Sequence, residues 1–261
     1  MRQFSAEYLE TTREGMWADS RDALADLELE TRERVLDVGC GTGELTRVLR
    51  AETPGSVVGC DADSELLAHL DPPRVLGDAT RLPFYEDAFD LAVCQALLIN
   101  LPEPAAAVEE LCRVSSELVA AIEPDNSAVT VDSTVEAEPA LARRARRHYL
   151  AGVETDVAMG ADTRRLFEDA GLTDVRTQRY DHERTVEPPY SEQALEAARR
   201  KVTGDGLASN RAEIVAGDSA ESYERLRERW REMGRSVVEQ MQAEEYRRRE
   251  VVPFYVTVGR V

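Results

Sequence analysis

Lysine is almost absent from this 261-residue chain: Lys201 stands alone, and arginine supplies every other one of the 32 basic residues. Set against 51 acidic residues, that leaves a formal charge of −19 and a pI near 4.7. A field of that sign repels phosphate backbones and anionic lipid surfaces, which argues against nucleic-acid and membrane partners. Cysteine is also sparse. Cys40, Cys60, Cys94 and Cys112 form no C-x-x-C pair, and three of them lie in apolar, strand-like runs. They read as buried, reduced thiols of a cytoplasmic protein. The histidines, His69, His148 and His182, show no metal-ligand spacing, so no metal site is expected. The longest apolar run, Leu91 to Leu101, is broken by Gln95 and Asn100 and is too short to span a bilayer. The opening MRQFSAEYLE lacks the apolar stretch of a secretory leader. No internal repeat or low-complexity tract appears.

What is present is enough apolar residue, 43% of the chain, to build a sizeable core. Chains this rich in acid and poor in lysine resemble proteins of salt-loving archaea, and a halophilic source is expected. In molar salt the Debye length shrinks to ~3 Å, so such self-repulsion becomes tolerable. From Val35 onward, β-rich runs (Val35–Val38, Val57–Cys60, Arg74–Gly77, Asp90–Ala96, Leu118–Ile122) alternate with helical ones. That alternation predicts parallel strands joined by helices that cover both faces of one sheet. A helix is expected between an N-cap at Asp162 and Gly171, followed by strands over Asp174–Tyr180 and Val251–Val261. Before the last strand, Tyr223, Leu226, Trp230, Met233, Val237 and Met241 recur every three or four residues, one apolar stripe on a long helix. The expected layout is one domain: an N-terminal helical segment (1–30), a core (31–180), a helical insertion (181–250) and a final strand (251–261).

The most informative stretch is VLDVGCGTGELTRVL, from Val35 to Leu49. An apolar strand runs straight into Gly39, Gly41 and Gly43, and a helix begins near Glu44. Glycines let the backbone turn sharply and approach a ligand, and the helix N-terminus offers unpaired N–H groups. A dinucleotide loop reads G-x-G-x-x-G, but its third glycine position here is Glu44. Glu44 and Asp37 would repel a pyrophosphate yet tolerate a cofactor carrying an amino group and a sulfonium. VVGCDAD then places Asp61 at the end of the second strand, where a carboxylate can accept from both ribose hydroxyls. Asp78 follows at the end of the third.

On these motifs the chain resembles class I S-adenosylmethionine-dependent methyltransferases, nearest to the ubiquinone- and menaquinone-biosynthesis-like branch. The resemblance covers about Val35 to Tyr180 and returns in the last strand. It implies an α/β Rossmann-like fold with a mostly parallel seven-stranded sheet, an antiparallel last strand and a helical insertion before it. It also implies S-adenosylmethionine as cofactor. Asp37 would face the methionine amino group, and Gly39, Gly41 and Gly43 would line the methionine and ribose. Asp61 with Ala62 would meet the ribose, Asp78 with Ala79 the adenine, and Gln95 the region of the methyl group.

The acceptor side is less explicit. The exit of the fourth strand, Gln95 through Asn100, lacks the Asn/Asp-Pro-Pro-Tyr of amine-directed nucleic-acid enzymes; DPPR at Asp71 and EPPY at Glu187 read as turns. Glu123, at the end of the fifth strand, reads as a loop ligand or a solvated acid more readily than as a pocket residue. Candidate acceptor residues are Tyr8, Trp17, Asn100, His148, Tyr149 and Trp230. Of these, His148 and Tyr149 follow an arginine run on a helix that the family places beside the acceptor, and the insertion's apolar stripe with Trp230 is expected either to pack as core or to wall the acceptor pocket. The reaction expected is metal-independent methyl transfer to a small molecule. RNA or protein acceptors, or cofactor binding without catalysis, are the alternatives.

Overall fold

The structure is a computed structural model, and it describes residues 16–261. Its strands, in chain order, are β1 (Arg34–Val38), β2 (Ser56–Asp61), β3 (Arg74–Leu76), β4 (Phe89–Gln95), β5 (Ser115–Pro124), β6 (Thr130–Ser133), β7 (Thr173–Val186) and β8 (Arg248–Arg260). The chain divides into two compact units. One holds residues 16–125, Ala158–Tyr180 and Pro253–Val261; the other holds Asn126–Val157 and Asp181–Val252.

In the first unit, β1 to β5 form a parallel sheet in the order β3-β2-β1-β4-β5. β8 joins antiparallel to β5, with Ile122 opposite Val256 and Pro124 opposite Phe254, and β7 pairs with β8. The parallel strands are those that the alternation predicts, and the antiparallel last strand is the one that the resemblance implies. β4 is buried along its whole length, as a central parallel strand covered on both faces should be. Side chains alternate between the faces at the strand period of two. Leu36, Val38, Ala92, Cys94, Val119 and Ala121 pack on one side, with Val108 and Leu111 of the helix Pro104–Val114 and Phe167 of the helix Thr163–Asp169. Val35, Leu91, Val93, Ala120 and Ile122 pack on the other, with Leu45 and Leu49 of the helix Glu44–Glu52 and with Trp17, Leu24 and Leu27 from the N-terminal segment. The helix after Asp162 forms as expected, but Asp162 closes a 3-10 turn and makes no side-chain capping bond.

The second unit is helical. Its long helix, Ala220–Gln242, starts at Ser219, whose side chain accepts from the Ser222 amide. The apolar stripe becomes the unit's core, where Tyr223, Leu226, Met233, Val237 and Met241 meet Leu141, Ala198, Leu207 and Ile214. A network of buried charge lies in the same unit. Glu138, 1% exposed, receives hydrogen bonds from Ser133, Tyr246 and Lys201, so the chain's single lysine is spent inside. Glu250 collects Arg146, Arg184 and Arg248.

The boundaries differ from the expected ones. Residues 126–157, placed with the core from sequence, belong to the second unit, and they bring an unforeseen strand, β6, which pairs with Arg248–Val251. The arginine-studded helix Ala137–Gly152 buries only Leu141, Ala145 and Glu138, too few apolar positions to signal its partner in the sequence.

Candidate functional site

Ligands of open parallel sheets bind beyond the carboxyl ends of the strands, where the order reverses. In the first unit the carboxyl ends of β1, β2 and β4 and the loops after them carry Asp37, the glycine loop, Asp61 and Gln95. Gly39, Gly41 and Gly43 all take left-handed φ, +70°, +55° and +85°. A Cβ in that region costs about 1–2 kcal/mol of strain, so the loop conformation requires glycine. Gly43 is also the N-cap of the helix Glu44–Glu52 and gives it no side-chain cap, which leaves the first amides available to a ligand.

Each acid is held by its own local structure. Asp37, 1% exposed, accepts a 2.6 Å hydrogen bond from the Thr46 hydroxyl one helical turn beyond the loop. Asp61 accepts the Gly41 amide on one oxygen and the Asp63 amide on the other, both at 2.8 Å. Its carboxylate is thereby aimed at the loop, and Ala62 beside it is exposed. Asp63 caps the short helix Ser64–Leu67, accepting from the Glu65 and Leu66 amides. Asp78 is exposed and accepts the Thr80 amide and hydroxyl, which hold its pKa below the usual carboxylate value; the adjacent Ala79 is buried. Cys40 and Cys60 border these acids. Burial, then the charge of the neighbouring carboxylates, raises both thiols, Cys60 to about 12, so neither supplies a thiolate.

At the end of β4, Gln95 is buried, and its side-chain amide donates to the Met16 sulfur at 3.2 Å. Asn100 donates to the Ala96 carbonyl at 2.7 Å and closes the turn that follows. Trp17 is buried edge-on against Phe254, ring centroids 6.1 Å apart, and its indole N–H meets no acceptor among the described residues. Tyr8 lies outside the described residues. His148, Tyr149 and Trp230 belong to the second unit. There His148 accepts from Arg144 at 3.3 Å and lies 3.5 Å from Asp218, while Tyr149 and Trp230 pack against the helical core. Sequence reading missed Thr46, Met16 and Leu97. Thr46 lies inside the glycine-loop stretch and Leu97 inside the exit of β4, but neither is a signature position, and only the helical offset of Thr46 from the loop hinted at a contact. Among the described residues no three His, Cys, Asp or Glu side chains gather as metal ligands.

Residues 36–117 match the family described as methyltransferase domain. Two curated relatives are demethylmenaquinone methyltransferases. That of Lactiplantibacillus plantarum is 34% identical over 108 residues, 36% of this chain and 45% of that protein. That of Corynebacterium kroppenstedtii is 36% identical over 91 residues, 34% and 39% of the two chains. The match thus spans less than half the length of either relative. A solved Bacillus halodurans structure, described as a proposed methyltransferase, shares the fold at 15% identity, with a TM-score of 0.54 over 93% of this chain and 98% of that one. Residues 36–117 thus carry the match to a methyltransferase domain, and the chain shares the Rossmann-like fold of the Bacillus halodurans structure. That family implies S-adenosylmethionine as the cofactor, and the left-handed glycine loop with a clamped acid on either side fits it.

Proposed function

We propose that this protein transfers a methyl group from S-adenosylmethionine to a small organic acceptor. The observation that carries the reading is the clamped pair Asp37 and Asp61 on the two sides of the glycine loop. Asp37 would hold the methionine ammonium, Asp61 the ribose hydroxyls, and Asp78 with Ala79 the adenine. The cofactor brings its own leaving group, a sulfonium, so the chain's task is orientation and exclusion of water. No metal is needed for that task.

Gln95, Asn100 and Trp17 are the acceptor-side residues of this reading, and the indole N–H of Trp17, which has no acceptor among the described residues, would serve an acceptor oxygen. Tyr180, half-buried and stacked at 5.7 Å on the buried Phe254, supplies a flat apolar face suited to an aromatic or quinone-like ring. The names of the two curated relatives support the same class. The net charge of −19 disfavours RNA. The test is methyl incorporation from labelled cofactor into a metabolite extract, with EDTA present, followed by extraction. Label in the organic-soluble fraction supports the reading. Label in RNA or protein redirects it, and cofactor binding without any transfer leaves a binding protein.

A further inference from the structure

The acid at the end of β5 has no part in the cofactor contacts just described, yet Glu123 is fully buried, 0% exposed. Burying a carboxylate costs several kcal/mol unless hydrogen bonds and charge offset it. One of its oxygens accepts the Leu97 amide at 3.0 Å and the Leu98 amide at 2.9 Å. These N–H groups open the 3-10 turn Leu98–Asn100, where backbone donors lack partners within the turn. The residue before them, Ala96, sits at φ +48°, a left-handed conformation that a non-glycine residue holds only under constraint. Its amide is tied to the Ile122 carbonyl at 2.9 Å, so two successive residues of β5 grip the chain as it leaves β4.

The turn in turn touches the cofactor loop. A Cβ built on Gly39 would lie 2.8 Å from the Leu97 Cδ1, so the leucine is packed directly on the first glycine. A continuous path runs from Glu123 through the Leu97 amide and side chain to Gly39. We propose that Glu123 is a positioning residue: it seats the turn after β4 so that Leu97 braces the glycine loop in its cofactor-binding form. The inference rests on the methyl-transfer reading of that loop.

The test uses the full chain and S-adenosylhomocysteine as probe. Glu123→Leu keeps most of the volume and removes the acceptor, whereas Glu123→Gln keeps an acceptor oxygen. Calorimetry should show binding weakened roughly tenfold or more in the leucine variant and within about threefold of wild type in the glutamine variant. Amide exchange should accelerate at Leu97 and Leu98 while Val93 and Ala120 keep their protection. Unchanged affinity in the leucine variant overturns the proposal, as do equal losses in both variants or exchange that rises evenly across the sheet. Should Glu123→Leu fail to fold, Leu97→Ala decides, because it leaves the carboxylate's bonds and removes the brace. A loss of at least threefold upholds the path, and unchanged binding refutes it. If wild-type protein binds no S-adenosylhomocysteine, the methyl-transfer reading itself fails; if it binds and the variants match it, only the role of Glu123 does.

Discussion

The hydroxyl of Thr46 donates to the carboxylate of Asp37 over 2.6 Å, linking the helix after the glycine loop back to the strand before it. Both side chains are buried. The bond fixes the rotamer of the acid that the methionine ammonium would meet. Thr46→Val keeps the shape and deletes the donor. A hydrogen bond to a charged group is worth about 1.5–3 kcal/mol, so chemical denaturation should show a loss of that order. S-adenosylhomocysteine should bind several-fold more weakly. A valine variant of wild-type stability and affinity would remove Thr46 from the site.

The buried charges of the second unit make an acid-labile element. Burial alone would raise the Glu250 pKa, but the charges of Arg248 and Arg184 and their hydrogen bonds outweigh it and lower it to about 2. Glu138 is likewise held below its usual value, with burial opposed by Lys201. A carboxylate depressed in the folded state stabilises it above the unfolded pKa, near 4.5, and that contribution fades as the pH falls toward the folded value. Stability measured by denaturant titration should therefore decline between about pH 4.5 and 2. Glu138→Gln, which leaves Lys201 buried beside a neutral partner, should cost about 3–5 kcal/mol at neutral pH and flatten part of that decline. An acid limb identical to that of wild type would show that Glu138 is not coupled to folding.

A net charge of −19 predicts salt dependence. Screening the surplus acids should raise the melting temperature steadily from low salt to molar potassium chloride. A melting temperature that is flat or falls with salt would mean that the acids are already balanced by local arginine pairs.

The sheet was legible because parallel strands advertise themselves. β1, β4 and β5 each hold an unbroken apolar run, Val35–Leu36, Leu91–Cys94 and Leu118–Ile122, and Gly39, Gly41 and Gly43 mark the sharp turn after β1. The acids at the strand ends were legible for the same reason, since each follows such a run directly. The second unit was not. β6 is four residues with one buried side chain, a pattern below any sequence signal, and the helix Ala137–Gly152 hides its contacts under arginines. The braces of the site, Thr46 on Asp37 and Leu97 on Gly39, were equally silent. They are made by tertiary approach between residues that no spacing rule relates. Glu123 shows the intermediate case: the sequence leaves it a loop ligand or a solvated acid, and its full burial against the Leu97 and Leu98 amides decides for the first.

The central claim is that the glycine loop and its flanking acids hold S-adenosylmethionine, and calorimetric titration of S-adenosylhomocysteine into wild type and Asp61→Ala tests it most directly. The account predicts saturable one-to-one binding to wild type, no comparable heat from NAD, and at least roughly tenfold weaker binding once the Asp61 carboxylate is gone. Absence of binding to the wild-type protein, or equal affinity in the two proteins, would contradict it.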